Sequence, residues 1–114
     1  MTKQHLIRIT MIGAFAIGLL ASVSASAETW SPDYRAIVRI YPHAGGVSFV
    51  LDGPVIVSAS PCANRFQLVL GMPNYSAIVA GLYSAHAQGK RILINYDETN
   101  SSCDIPVNRF MTEN

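Results

Sequence analysis

The chain has 114 residues, 50% of them hydrophobic, with eight Lys and Arg against seven Asp and Glu. Lys3 and Arg8 lie in the first 27 residues, so residues 28–114 carry six basic and seven acidic groups, a net charge of −1. That balance excludes electrostatic capture of nucleic acid or of an anionic membrane as the organising function, and the length allows one small domain that needs a staple or self-association to be durable.

Met1 to Ala27 has the layout of an export signal: a basic start (Lys3, Arg8), an uncharged apolar stretch from Ile9 to Leu20, and Ala25-Ser26-Ala27 as the small-residue cleavage site. The apolar stretch is short of the ~20 residues that a spanning helix needs. Cleavage before Glu28 would release a single domain, 28–114, to a bacterial periplasm or exterior, with no membrane attachment once the signal is removed. In that compartment Cys62 and Cys103 are expected to form a disulfide. The alternatives are free thiols or a bridge between molecules.

After the cut, Glu28 to Tyr34 reads as an irregular entry, because Pro32-Asp33 favours a turn. Trp30, the sole tryptophan, reads as a lid on the core or as a binding platform. Arg35 to Tyr41 alternates as a strand that Pro42 stops. His43-Ala44-Gly45-Gly46 forms a turn, and Val47 to Leu51 completes a hairpin. Asp52-Gly53 turns the chain into Pro54 to Ser58, a third short strand. Phe66 to Leu70 reads as a buried strand. From Pro73 to Gln88 the apolar positions Tyr75, Ile78, Val79, Leu82 and Ala85 repeat at helical spacing, with Pro73 in the first turn or Asn74 as the N-cap, and Gly89 as a left-handed C-cap. Arg91 to Tyr96 is a strand with Ile92 and Ile94 on the face opposite Leu93 and Asn95. Ile105 to Phe110, containing Pro106, reads as an edge strand, and the last four residues as frayed. The fold class is mainly β with one helix (α+β). With Pro54–Ser58 and Phe66–Leu70 counted as one split third strand, the element order is that of an OB-like five-stranded small barrel, with the helix between strands 3 and 4.

Chemistry is sparse. His43 and His86 have no second histidine or cysteine at metal-ligand spacing, so no metal or cofactor is expected. There is no nucleophile elbow, and oxidised cysteines are no nucleophiles. The expectation is a protein that is not an enzyme. A small hydrolase would require His43 or His86 beside a carboxylate. Tyr34, Tyr41, Tyr75, Tyr83 and Tyr96 suit a sugar-binding face and a protein interface equally.

The stretch NYSAIVAGLYSAHAQGKRILINYDETNSSC, residues 74–103, resembles the subtilase cytotoxin B subunit and its pertussis-like toxin relatives, in which a tyrosine-rich helix ends at glycine and leads into a basic-apolar strand. The entry segment ETWSPD is similar to the start of the mature B subunit. The resemblance covers about two-thirds of residues 28–114. It implies an OB-type barrel, a ring of five copies, glycan receptors on host cells and a catalytic A subunit on a separate chain. It places candidate glycan contacts at Trp30, Asp33, Tyr34, Tyr83 and His86. The chain departs from the family in its sugar-contacting loop, since Asp33-Tyr34-Arg35 runs almost directly into the first strand. A late helix tyrosine also has no match near Ser84 to His86, so sugar specificity does not transfer. The competing expectation is a monomeric periplasmic protein with a structural or inhibitory role.

Overall fold

A computed structural model describes residues 27–114; the expected export signal, apart from Ala27, lies outside them. Six strands and one helix follow in order: β1 (Glu28–Trp30), β2 (Ile37–His43), β3 (Gly46–Leu51), β4 (Arg65–Val69), α1 (Tyr75–Ala87), β5 (Ile92–Asp97) and β6 (Ile105–Thr112). The class is mainly β with one helix, as expected, but there are six strands rather than five. The helix falls between β4 and β5.

Glu28–Trp30 is the additional strand, and of the expected split third strand only the second part, Arg65–Val69, is one. Glu28–Trp30, expected to be irregular, is a strand because β5 supplies its ladder, Trp30 standing opposite Asn95. Pro54 to Ser58 reads as a strand but belongs to none. Its polar backbone is satisfied by distant side chains instead of a neighbouring strand. Asn64 Oδ1 accepts from Ile56 N–H at 2.8 Å, and its amide donates to the carbonyls of Gly53 and Pro54 at 3.0 Å. The buried Arg35 donates to the Asp52 and Pro54 carbonyls at 2.8 Å and holds the Asp33 carboxylate. A loop whose hydrogen bonds are met this way has no need of a ladder.

The strands form one sheet, ordered β1-β5-β6-β4-β3-β2. The pairings are antiparallel except β4 with β6, which run parallel and match only Phe66 to Ile105 and Gln67 to Pro106. Beyond those pairs the two strands part. Arg35 exchanges backbone bonds with Ile92 at 2.9 Å, and the next residue, Ala36, accepts from Asp52 N–H. Residues 31–36 therefore carry the chain from the β5 side to the β3 side, and the two ends of the sheet approach one another. Pro42, expected to end a strand, sits inside β2; on this edge strand its missing N–H costs no ladder bond.

Phe49, Phe66, Leu68, Leu82, Ile92, Ile94 and Ile105 are fully buried. Phe66 stands 5.9 Å from Phe49 and 6.1 Å from Tyr96, ring to ring, and links the two halves of the sheet. Each such side chain contributes roughly 1.5–3 kcal/mol. Leu82 and Ala85 seat α1 on this core. Asn74 is the N-cap, in a left-handed conformation without a side-chain cap bond. At the other end Lys90 N–H bonds Ala85 C=O and Gly89 N–H bonds His86 C=O, with Gly89 at φ +66°. That is the Schellman closure expected from Gly89.

The expected frayed end is instead tied down. β6 continues to Thr112, and Glu113 accepts from the Arg91 backbone N–H at 2.6 Å and from its guanidinium. The Arg91 side chain, then its N–H, hold the Glu113 carboxyl below its ordinary range. A group whose pKa falls on folding contributes stability that is complete above its unfolded value and is lost as pH drops through the folded one. Thermal stability should therefore decline as the pH is lowered through the carboxylate range. Glu113→Gln should flatten that decline in melting curves recorded across the acid limb.

Candidate functional site

Where β4 and β6 part, a cleft of about 600 Å³ opens between the start of α1 and the outer face of β6. Val69, Met72, Ile78 and Val107 give it an apolar floor, and Glu28, Asp97, Asn100, Asn108 and Arg109 stand on its polar side. Register explains why these groups meet. Glu28 is opposite Asp97 on the β1–β5 pair, and a bulge in the β5–β6 pair inserts Asn108 between Val107 and Arg109. The bulge sends an extra polar residue towards the cleft.

The rim is partly organised. Asn108 Nδ2 donates to Glu28 Oε1 at 2.9 Å. The Thr99 hydroxyl donates to Asp97 Oδ1 at 2.6 Å and the Thr99 N–H at 2.9 Å. The hydroxyl first, then the N–H, hold the Asp97 carboxyl below its ordinary range. Two carboxylates thus face each other across neighbouring strands, an unfavourable pairing for the sheet itself.

Two residues further along β1 and β5, and next to Asn108 on β6, lies a second row: Trp30, Asn95, Arg109. Ile94 and Tyr96 enter the core, so strand alternation puts Asn95 on the opposite face with Trp30 and Arg109 on either side. The Arg109 guanidinium carbon stands 5.3 Å from the centre of the Trp30 ring. Those two side chains close over the middle strand, and Asn95 is only 3% exposed. Its Oδ1 is buried with no hydrogen-bond partner. A buried acceptor left unpaired costs about 1–3 kcal/mol, whereas an exposed cation–ring contact contributes about 0.5–1 kcal/mol. Arg109 forms no ion pair among the described residues.

The five residues proposed from sequence fall in three places. Trp30 belongs to this row. Asp33 is engaged by Arg35, and Tyr34 is half-buried in the crossing segment. Tyr83 and His86 are exposed on α1, and no hydrogen bond or ring contact joins them to the other three. Sequence reasoning missed Asn95, Asp97, Asn108 and Arg109. The signal for the first was present: Asn95 interrupts an otherwise apolar strand on the face opposite Ile94.

On the face of the other half-sheet, His43, Ser48 and Asp104 fall in line. Gly45 N–H donates to His43 Nδ1 at 3.1 Å, which leaves the proton on Nε2, 2.9 Å from Ser48 Oγ. Ser48 in turn donates to Asp104 Oδ1 at 3.4 Å. The order is wrong for nucleophilic catalysis, which places the histidine between the hydroxyl and the carboxylate. Ser48 is also fully buried, and Asp104 is committed to Arg65 at 2.5 Å. The line ties the β2–β3 hairpin to the loop that carries Cys103. Comparisons with protein-family models, curated proteins and solved structures each return no match.

Proposed function

We propose that this is an exported, non-catalytic binding domain of the toxin B-subunit kind, which assembles as a ring and recognises a glycan. The cleft carries the reading. It is concave, of small-ligand size, apolar at its floor and edged with amide and carboxylate groups. Such groups bond the hydroxyls of a sugar while the floor takes its C–H faces.

An OB-type barrel underlies the proposal. In its favour are the strand order, the single parallel contact between β4 and β6, and the Arg35 bridge that draws β1 and β2 together. Ring assembly draws on the two different edge strands of the sheet, β1 and β2. Unlike edges that meet head to tail close into rings rather than twofold dimers. A catalytic A subunit would be a separate chain carried by that ring.

The test is a glycan array probed with purified protein whose mass in solution is measured by light scattering. A ring-sized particle that retains a defined set of glycans is the expected result. A ring that retains none overturns the glycan reading, and a monomer overturns the assembly.

A further inference from the structure

The Trp30–Asn95–Arg109 row combines three observations that the fold alone does not call for. A buried amide oxygen lacks a donor. The ring of the sole tryptophan lies under the guanidinium of Arg109, an arginine without a carboxylate partner among the described residues. The next row presents two facing carboxylates, Glu28 and Asp97, at the rim of the cleft that Arg109 also lines.

Moving the Arg109 guanidinium off the ring would uncover the indole face and the Asn95 oxygen together. The uncovered surface is rich in acceptors: Asn95 Oδ1, the second oxygens of Glu28 and Asp97, and Asn108 Oδ1, whose own amide donates to Glu28. Arg109 is the main donor. Acceptors of this kind call for a ligand that brings hydroxyl donors, and the negative face of an indole favours a ligand with a C–H surface. A pyranose has both. The local charge decides which pyranose. With the signal removed, the Glu28 α-ammonium and the Arg109 guanidinium balance the Glu28 and Asp97 carboxylates, and Thr99 holds the Asp97 carboxyl below its ordinary range. The patch therefore has no net positive charge to draw an anionic sugar. A metal ion is a poorer match, since no three ligating side chains converge among the described residues.

We propose that this row and the adjoining cleft form the sugar site, and that it takes a neutral hexose-containing glycan, with Arg109 swinging off Trp30 to admit it. The inference rests on the glycan reading above and names its ligand class, which differs from the sialylated class that the family resemblance implies. On binding, a ligand hydroxyl donates to Asn95 Oδ1, a ring face stacks on Trp30, and vicinal hydroxyls reach Glu28 and Asp97.

Because Trp30 is the only tryptophan, its fluorescence reports the event directly. Purified protein is titrated with lactose, cellobiose and maltotriose, and separately with 3′-sialyllactose. At least one neutral sugar should shift the emission saturably and bind more tightly than the sialylated one. Asn95→Leu should weaken that binding by at least ~10-fold, as expected when a site loses the acceptor built for a hydroxyl. Folding of each variant is checked by circular dichroism. If Asn95→Leu does not fold, Trp30→Leu replaces it, with binding read by saturation-transfer NMR of the sugar. Tighter binding of sialyllactose, or neutral binding that survives both Asn95→Leu and Trp30→Leu, overturns this inference and leaves the glycan reading standing. No response to any sugar, with the array also blank, overturns both.

Discussion

Gly46→Ala should unfold the protein or lower its stability by at least about 4 kcal/mol, near the limit of what single substitutions do. Gly46 opens β3 at φ +142°, a conformation that side chains rarely adopt. Space is the larger obstacle. A Cβ there would stand 2.0 Å from the Leu68 carbonyl oxygen and 3.0 Å from the Leu70 nitrogen, both backbone atoms. Relief requires β3 and β4 to move apart. Yet Gly46 is opposite Val69 in that ladder, and Leu70 N–H bonds Gly45 C=O at 3.0 Å. The shift would propagate to Phe49 and Phe66, which pair directly across the same two strands. Against a total of ~5–15 kcal/mol for a domain of this kind, such a loss leaves little. Gly71→Ala is the control: it has φ +92° but nothing within 4 Å of the added carbon. It should show only the conformational cost, of order 1–3 kcal/mol. Chemical denaturation of both variants checks the account. A Gly46→Ala midpoint close to that of Gly71→Ala would show that the close approach is not what makes glycine necessary.

The same contrast marks what the sequence makes legible. Features set by neighbours along the chain can be read: the helix from the spacing of Ile78, Leu82 and Ala85, and its end from Gly89; the staple is legible for a different reason, since the chain has just two cysteines. Features set by partners far along the chain cannot. Pro54 to Ser58 has the apolar run of a short strand, and it is Asn64 and Arg35, brought in by the fold, that satisfy its backbone as a loop. Glu28–Trp30 is too short to announce itself and exists because Asn95 to Asp97 lie beside it. The candidate site is the extreme case. Trp30, Asn95 and Arg109 come from three strands and meet only through two registers, one of them shifted by a bulge. Trp30 draws attention by its chemistry, but its partners are ordinary residues until the sheet is assembled. Tyr83 and His86 show the converse. Their chemistry suggests a site, and the helix leaves them apart from the other three.

Removing the disulfide should cost about 4 kcal/mol, the loop-closure value for a separation of 41 residues. For a domain of this size that corresponds to a fall in melting temperature of roughly 15–30 °C, read by comparing the parent with Cys62→Ser/Cys103→Ser. The location makes the loss more than a general loosening. Cys62 precedes β4 and Cys103 precedes β6, with Cα atoms 4.9 Å apart, so the bridge sits where the parallel pair begins. That pair has only two matched positions. Its other supports are polar: Arg65 with Asp104, Gln67 Nε2 donating to Asp104 C=O at 3.1 Å, and Ser60 Oγ donating to Ser102 C=O at 3.0 Å. Exposed ion pairs contribute about 0–1 kcal/mol, so Arg65→Ala should change the melting temperature far less than the loss of the bridge. The cleft lies at the far end of the same β4–β6 junction, with Val69 of β4 and Val107 of β6 both lining it. Without the bridge the junction can open from either end, and amide exchange at Ile105 and Val107 should quicken more than at Ile92 and Ile94, which lie on the other side of β6 within a longer ladder. Uniform quickening across all four positions would mean that the staple acts only on the unfolded chain. A selective effect would mean that it also holds β6, and with it Asn108 and Arg109, in place to present the cleft.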